Sequence, residues 1–304
     1  MIKDLDATDI GKLDITGSYL SCGFQATNIG KAIEIVGRMR KEKATVFLTF
    51  TSNLIASGLR GLVTEMCKRR FVDVIITAGG SLDHDLIRSK MIYQQGDFLM
   101  DDKELHGKGI NRIGNILVPN KCYEYLEGFM QETYAKMYDE NRSACGHCLV
   151  SPSQIARKIG ERTGPDSFLH WCTKNKIPVF CPGITDSAIG LQTYFFKQKK
   201  KDFCIDVTKD MNELASLSLN ADKTGGIVLG GGISKHHAIG VNLLRGGFDY
   251  AVYVTTSSPW DGSLSGARTN EGISWGKIKE KADHVTVDAD ATIAFPLIMA
   301  RFLK

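Results

Sequence analysis

The chain has 304 residues, a mass of 33.5 kDa and a net charge of +4, with 43% hydrophobic and 24% charged residues. This composition excludes a disordered, collagen-like or low-complexity chain, and the small net charge gives no argument for nucleic-acid binding. No apolar run reaches the length of a membrane span, and the acidic N-terminus lacks the basic and apolar regions of a signal peptide. A chain of this size needs no disulfides, so its eight cysteines indicate a cytoplasmic protein with reduced thiols.

Six short runs of β-branched and aromatic residues are predicted to be strands. Their nearly continuous apolar character is typical of strands that are covered on both faces. Helical stretches such as Asn53–Arg70 and His236–Leu244 lie between them, and this alternation predicts an α/β fold. We expect a Rossmann-like, doubly wound, mostly parallel six-stranded sheet with helices on both faces. Residues 1–22 are predicted to be a short N-terminal extension and residues 23–304 a single domain. The predicted strands are Thr45–Thr51, Val72–Thr77, Ile177–Cys181, Gly226–Leu229, Tyr250–Thr255 and His284–Asp288.

Small, hydroxyl-bearing or acidic residues follow each predicted strand. In open α/β sheets, ligands bind beyond the carboxyl ends of the strands. Glycines there let a phosphate approach backbone N–H groups, and carboxylates accept hydrogen bonds from ribose hydroxyls. The pattern therefore predicts a dinucleotide site, although the chain has no GxGxxG fingerprint. The strand ends are Thr51-Ser52-Asn53, Thr77-Ala78-Gly79-Gly80, Thr185-Asp186-Ser187, Gly230-Gly231-Gly232, Thr255-Thr256-Ser257 and Asp288-Ala289-Asp290-Ala291.

Several longer runs, together with these strand ends, resemble the deoxyhypusine synthase family. The similarity extends from Gly23 to the end of the chain, and the run that contains Ser274-Trp275-Gly276-Lys277 matches the active-site signature of the family. The resemblance implies an enzyme that uses NAD to cleave spermidine oxidatively. It also implies transfer of the aminobutyl group, through a lysine imine, to one lysine of the translation initiation factor 5A precursor by a homotetramer. The runs are TSNLIASGLR (51–60), GINRIGNILVPN (109–120), GGGISKHH (230–237), DYAVYVTT (249–256) and DGSLSGARTNEGISWGKIK (261–279).

The resemblance assigns Lys277 as the nucleophile that forms the imine. His236 matches an amine-site position and is a candidate for proton transfer, because an imidazole can exchange protons near neutral pH. A lysine is a nucleophile only when neutral, so its pKa has to fall from about 10.4, and a closed site beside Trp275 would achieve this by desolvation. No metal ligand set is predicted. The positions that match NAD contacts of the family are Ser52, Asn53, Thr77, Ala78, Gly79, Asp186, Gly231, Thr256, Ser257, Asp290 and Ala291. The positions assigned to amine binding are Asp83, His236, Gly262, Ser263, Glu271 and Trp275.

Two leucines stand where the eukaryotic members of the family have aspartates that bind the polyamine. They are Leu191 and Leu264, and they leave Glu271, Asp83 and Asp85 as the carboxylates that could face a cationic amine. The amine donor therefore remains open between spermidine and agmatine. Two other functions also remain open: a homospermidine-synthase-like transfer to a free diamine, and a catalytically silent NAD-binding regulatory protein.

The sequence Cys145-Gly146-His147-Cys148 resembles a disulfide isomerase site. Such a site needs a buried strand before it, but residues 138–143 are polar, and no second CxxC is present to complete a zinc tetrahedron. We therefore expect this segment to be a surface feature without function, with a local metal site or redox chemistry as the alternatives.

Overall fold

The structure is a computed structural model that describes residues 1–5, 14–141 and 147–303. The strands in these ranges are β1 (Thr45–Phe50), β2 (Val74–Thr77), β3 (Gln94–Gln95), β4 (Ile110–Ile113), β5 (Ile116–Pro119), β6 (Cys148–Val150), β7 (Val179–Phe180), β8 (Phe203–Ile205), β9 (Thr224–Leu229), β10 (Phe248–Thr255) and β11 (Ile278–Asp288). The helices are α1 (Ile15–Ser18), α2 (Phe24–Lys41), α3 (Ser52–Ala56), α4 (Leu59–Lys68), α5 (Gly79–Arg88), α6 (Asp102–Gly107), α7 (Asn120–Asn141), α8 (Pro152–Arg162), α9 (Phe168–Asn175), α10 (Ala188–Lys199), α11 (Lys209–Leu219), α12 (Gly232–Leu243), α13 (Thr269–Ser274) and α14 (Ala291–Met299), with a 3-10 helix at Tyr19–Ser21.

The central sheet has six strands in the order β11-β10-β9-β1-β2-β7. Strand β9 pairs in parallel with both β1 and β10, and β10 pairs in parallel with β11. Numbered along the chain, this is the order 6-5-4-1-2-3 of a Rossmann sheet, in which the strand order reverses between β1 and β9. The predicted α/β class and all six predicted strands are confirmed. A three-stranded sheet, β3-β5-β4, and a two-stranded sheet, β6-β8, are additional.

The chain groups into two compact units. Unit 1 comprises the described residues of Met1–Phe50, Phe71–Ile76 and Glu213–Lys304, and unit 2 comprises those of Thr51–Arg70 and Thr77–Asn212. The single domain from residue 23 onwards stays a prediction. No helix among the described residues is long and apolar enough for a membrane span.

Strands β1, β9 and β10 form the core of unit 1, where helices α2, α12 and α14 pack against them. Strand β9 begins two residues before the predicted run, because Thr224 and Gly225 also belong to it. A Cβ on Gly226 would lie 3.0 Å from the ring of Phe248, and a Cβ on Gly225 would lie 2.7 Å from the sulfur of Met39. The two glycines are therefore required by close packing, which a propensity for strand does not reveal.

Candidate functional site

A cavity of about 290 Å³ in unit 1 brings together residues from four segments of the chain. These segments are the start of α12, strand β10, the loop 262–268, and α13 with the turn that follows it. Five of the predicted site residues line this cavity: His236, Gly262, Glu271, Trp275 and Lys277. The other lining residues are Lys235, Ile239, Tyr253, Leu264, Ala267, Arg268 and Gly272. Ser263 belongs to the same loop but is not a lining residue, and its backbone N–H donates to Asp261 Oδ1 at 2.7 Å. We call this space the unit 1 cavity.

Lys277 reaches the cavity through a left-handed turn. Gly276 has φ +65°, a conformation that glycine adopts without strain, and the N–H of Lys277 donates to the carbonyl of Gly272 at 2.9 Å. The chain thus folds back after the short helix α13. The turn places Lys277 Nζ 5.1 Å from the centroid of the Trp275 ring.

Trp275 does not enclose Lys277 within this chain. The indole side chain is 65% exposed, and Lys277 is half-buried. A cation over an aromatic face is stabilised in its charged form, which is the opposite of desolvation. The closed aromatic pocket expected from the sequence is therefore not formed by these two residues alone.

Lys235 is the buried lysine of the cavity, and the sequence analysis did not assign it a role. Its side chain is 1% exposed, and its Nζ donates to the carbonyls of Leu264 and Ala267, each at 2.7 Å. Burial lowers the pKa of Lys235 to about 8, with Arg268 adding to the effect and Glu271 opposing it. The sequence could have predicted this burial from helical periodicity, because Lys235 lies on the same helix face as Ala238, Ile239 and Asn242, which are all buried.

The unit 1 residues predicted to contact NAD lie at the ends of β9, β10 and β11. Gly231 packs against Ser265, whose Oγ would lie 2.3 Å from an added Cβ and accepts from the N–H of Gly232, the first residue of α12, at 3.1 Å. Thr256, which is exposed, and Ser257, which is half-buried, follow β10. Asp290 is exposed, and its Oδ1 accepts from the N–H of Thr292 at 2.7 Å, so that it caps α14, of which Ala291 is the first residue.

The unit 2 residues predicted to contact NAD lie where α3 and α5 begin and before α10. Ser52 and Asn53 open α3, and Gly79 opens α5 directly after Thr77 and Ala78, without a side-chain cap. Asp186 is exposed.

These observations make the donor set suitable for a dinucleotide. Helix α5 begins without a side-chain cap, so its first backbone N–H groups are of the kind that binds phosphate, whereas the first N–H of α12, that of Gly232, donates to Ser265 Oγ. The exposed carboxylates of Asp186 and Asp290 can accept from hydroxyl groups. The residues predicted to contact NAD are therefore chemically suited to it.

Asp83, predicted to bind the amine, already holds the first turn of α10. Its Oδ2 accepts from the N–H of Ala188 at 2.8 Å and its Oδ1 from the N–H of Ile189 at 2.9 Å. The side chain is 6% exposed, and burial raises its pKa to about 6 against these two hydrogen bonds. Contact with an amine stays a prediction for this residue.

Asp85 is tied to α9 in a similar way. Its carboxylate accepts from Arg60 Nε at 2.7 Å, from Ser167 Oγ at 2.6 Å and from the N–H of Leu169 at 3.1 Å. The residue is fully buried, and desolvation raises its pKa despite the facing Arg60 guanidinium. Asp85 is therefore a structural carboxylate of unit 2.

Part of the CxxC segment lies outside the described residues, namely Cys145 and Gly146. Cys148 is fully buried in β6, and its Sγ lies 3.9 Å from the carbonyl oxygen of Met137. The expectation of a surface feature is therefore wrong for Cys148. In residues 1–5, 14–141 and 147–303, no three His, Cys, Asp or Glu side chains are grouped as a metal site requires.

Comparisons with known proteins point in one direction. A family model described as deoxyhypusine synthase matches residues 14–302. The Pyrococcus furiosus protein named "Probable deoxyhypusine synthase" is 42% identical in an alignment that covers 96% of this chain and 90% of that protein. The Thermoplasma acidophilum protein of the same name is 43% identical and covers 99% of this chain and 97% of its own length. A crystal structure of the Entamoeba histolytica protein described under this enzyme name superposes with a TM-score of 0.69 at 24% identity, over 99% of this chain and 95% of that one, which supports the fold.

Proposed function

Because the chain belongs to the deoxyhypusine synthase family of transferases, we propose that it cleaves spermidine oxidatively with NAD and transfers the aminobutyl group to a lysine of the translation initiation factor 5A precursor. The observation that carries this proposal is the unit 1 cavity, in which Lys277 meets Trp275, His236 and Glu271. A homotetramer and a cytoplasmic location are part of the same proposal, since both follow from the family.

NAD, when bound, supplies the acceptor for the hydride that leaves the carbon next to the secondary amine of the donor. The positions proposed to contact it are Ser52, Asn53, Thr77, Ala78, Gly79, Asp186, Gly231, Thr256, Ser257, Asp290 and Ala291. The start of α5, which has no side-chain cap, and the exposed carboxylates of Asp186 and Asp290 support this assignment.

Lys277 is proposed to carry the aminobutyl group between the two substrates. Its neutral amine attacks the imine carbon of the oxidised donor, a new C–N bond forms, and the bond to the propylamine portion breaks, which releases 1,3-diaminopropane. The amine of the acceptor lysine then attacks the same carbon and displaces Lys277. Return of the hydride to the product imine leaves a stable secondary amine, so the oxidation balances over one turnover.

His236 and Glu271 are proposed to manage protons and charge in this exchange. An imidazole can accept and donate a proton near neutral pH, and His236 is an exposed residue of the cavity wall. Among the described residues that line the cavity, Glu271 is the one carboxylate, so it is proposed to bind an ammonium group of the donor. Gly262, Ser263 and Trp275 complete the proposed amine contacts in this cavity.

The donor is proposed to be spermidine, with agmatine as the alternative. Leu264 lines the cavity where eukaryotic relatives have an aspartate, so fewer carboxylates face the amine than in that branch of the family. A donor with fewer cationic groups would then lose less binding free energy from the missing carboxylate.

To test the proposal, the purified protein is incubated with NAD, the acceptor precursor and each candidate donor in turn, and the mass of the acceptor is measured. We expect a mass increase on one acceptor lysine with spermidine. A mass increase with agmatine but not with spermidine would identify agmatine as the donor. Transfer of the aminobutyl group only to added putrescine would indicate a homospermidine-synthase-like enzyme. NAD binding without transfer to any acceptor would overturn the enzymatic function.

A further inference from the structure

Two cysteines that the proposed function does not use, Cys67 and Cys172, lie in contact in the interior of unit 2. Cys67 is in the last turn of α4, and Cys172 is in α9. Their side chains are 0% and 2% exposed, and the thiol of Cys172 donates to the sulfur of Cys67 at 3.5 Å. Packing accounts for a single buried cysteine, whereas two thiols in contact can also react with each other.

Helices α4 and α9 are joined by hydrogen bonds that do not involve the two sulfurs. Asn175 Nδ2, at the end of α9, donates to the backbone carbonyl of Cys67 at 2.8 Å. Arg60 Nε of α4 donates to the Asp85 carboxylate at 2.7 Å, and the N–H of Leu169 in α9 donates to the same carboxylate at 3.1 Å. The two thiols are therefore held against each other, which gives each a high effective concentration toward the other.

A disulfide bond between Cys67 and Cys172 requires only a short movement. The S–S bond is about 2.05 Å long, so the two sulfurs have to approach each other by about 1.5 Å. Burial raises the pKa of Cys172 well above its usual range, and the contact with Cys67 adds to this effect. The closed structure therefore disfavours the thiolate that starts the reaction, but it can enclose the uncharged disulfide without that penalty. We expect slow formation and a stable product.

We propose that Cys67 and Cys172 are a modification site, at which a peroxide forms a reversible disulfide that links α4 to α9. One thiol is first oxidised to a sulfenic acid, while the O–O bond of the peroxide breaks and one water leaves. The second thiol then attacks this sulfur, the S–S bond forms, and a second water leaves. Two thiols thus lose two electrons to one hydrogen peroxide, and a dithiol reductant reverses the reaction by exchange. The assignment is independent of the proposed catalytic function.

The disulfide should stabilise unit 2 without changing its fold. The two cysteines are 105 positions apart in the chain, so the bond closes a long loop and restricts the unfolded state. It joins helices that already contact each other through Asn175 and Asp85, so the native arrangement is kept.

The test is oxidation of the reduced, purified protein with hydrogen peroxide. Remaining thiols are then alkylated, and the protein is digested without reduction and mapped by mass spectrometry. Thermal unfolding is measured before oxidation, after oxidation, and after dithiothreitol is added to the oxidised protein. The variants are Cys67→Ser and Cys172→Ser, and the matched control is Cys122→Ser, because Cys122 is also fully buried but lies in α7, outside the pair.

We expect a linked peptide pair that contains Cys67 and Cys172 and is lighter than the two free peptides by two hydrogen atoms. The midpoint of thermal unfolding should rise by about 5–10 °C, and dithiothreitol should reverse this rise. Cys122→Ser should show the same rise, whereas both variants of the pair should lose it. Peptide mapping uses the wild-type protein, so it decides the question even where a variant folds poorly. Recovery of both cysteines as free thiols after oxidation would overturn the proposal, and so would a Cys67–Cys172 disulfide that leaves the midpoint unchanged.

Discussion

The carboxylates of α5 in unit 2 and the polar side chains of the unit 1 cavity both follow strands of the central sheet, but their hydrogen bonds differ. Asp83 and Asp85 are buried, and both oxygens of each carboxylate accept from the protein. In the cavity, Glu271 and His236 are exposed, and the hydroxyl of Tyr253 lacks a partner among the described residues. The first set stabilises unit 2, and the second set remains available to a ligand. Position after a strand is thus insufficient to assign function, because the hydrogen bonds already made within the chain decide between the two roles.

The largest effect is expected in the cavity, where Lys277→Arg should reduce transfer roughly a thousandfold or more. A guanidinium keeps the positive charge but cannot deprotonate to attack a carbon, and NAD binding should persist. The control is Lys279→Arg, since Lys279 lies two residues away, outside the cavity wall, and pairs with Asp249 at 2.6 Å. Transfer rates measured with equal amounts of each folded variant test this. Normal transfer by Lys277→Arg would refute the assignment of Lys277 as the nucleophile.

In unit 2, Asp85→Asn should lower the free energy of unfolding by about 3–5 kcal/mol, because it leaves the Arg60 guanidinium buried without its closest carboxylate. Asp166→Asn is the control: Asp166 also pairs with Arg60, at 3.2 Å, but its side chain is 53% exposed. The control should cost about 0–1 kcal/mol. Denaturant unfolding of both variants measures the difference. Equal decreases in the free energy of unfolding would show that the burial of Asp85 does not strengthen its contribution to stability.

Asp83 and its neighbour His84 should give opposite pH dependences of stability. The raised pKa of Asp83, about 6, means that the folded state binds the proton more tightly, so this residue makes stability fall as pH rises from about 4 to 6. Burial, aided by Arg88, lowers the pKa of His84 to about 4, so this residue makes stability rise as pH rises from about 4 to 6.5. Each contribution is on the order of 3 kcal/mol, and in the wild type they largely offset each other.

Asp83→Asn should therefore expose the contribution of His84. We expect the free energy of unfolding to rise more steeply with pH between 4 and 6 than it does in the wild type. Denaturant unfolding at several pH values measures this slope. An unchanged slope would mean that Asp83 ionises in the folded protein as it does in the unfolded chain.

The smallest predicted effect separates two roles of Asp290. Asparagine is also a good N-cap, so Asp290→Asn should keep α14 stable and weaken NAD binding by about 1–3 kcal/mol. Asp290→Ala should weaken NAD binding similarly and also cost about 1 kcal/mol of stability through the lost cap. Calorimetric NAD titration and thermal unfolding distinguish these losses. Full NAD affinity in both variants would remove Asp290 from the proposed NAD contacts.

The sheet could be predicted from the sequence because buried parallel strands are continuous apolar runs. The prediction was least accurate at β11, which begins at Ile278 rather than His284. This strand is at the edge of the sheet, and its first half contains the exposed residues Glu280 and Lys281, so the apolar criterion misses it.

The site was only partly predictable, because its decisive contacts join residues that are far apart in the chain. The carbonyls that hold Lys235 are about thirty residues further on, and the helix end that occupies Asp83 begins 105 residues later. No local pattern encodes either contact. The residues of the signature around Lys277 could be identified only through the family resemblance, whereas the partners that distinguish Lys235 and Asp83 needed the structure.

Borohydride trapping of the covalent intermediate tests the central claim most directly. The protein is incubated with spermidine, with and without NAD, reduced, digested and analysed by mass spectrometry. We predict an aminobutyl adduct on Lys277 that requires NAD and is absent from Lys277→Arg. An adduct on Lys235, or none in a protein that still modifies its acceptor, would contradict the account.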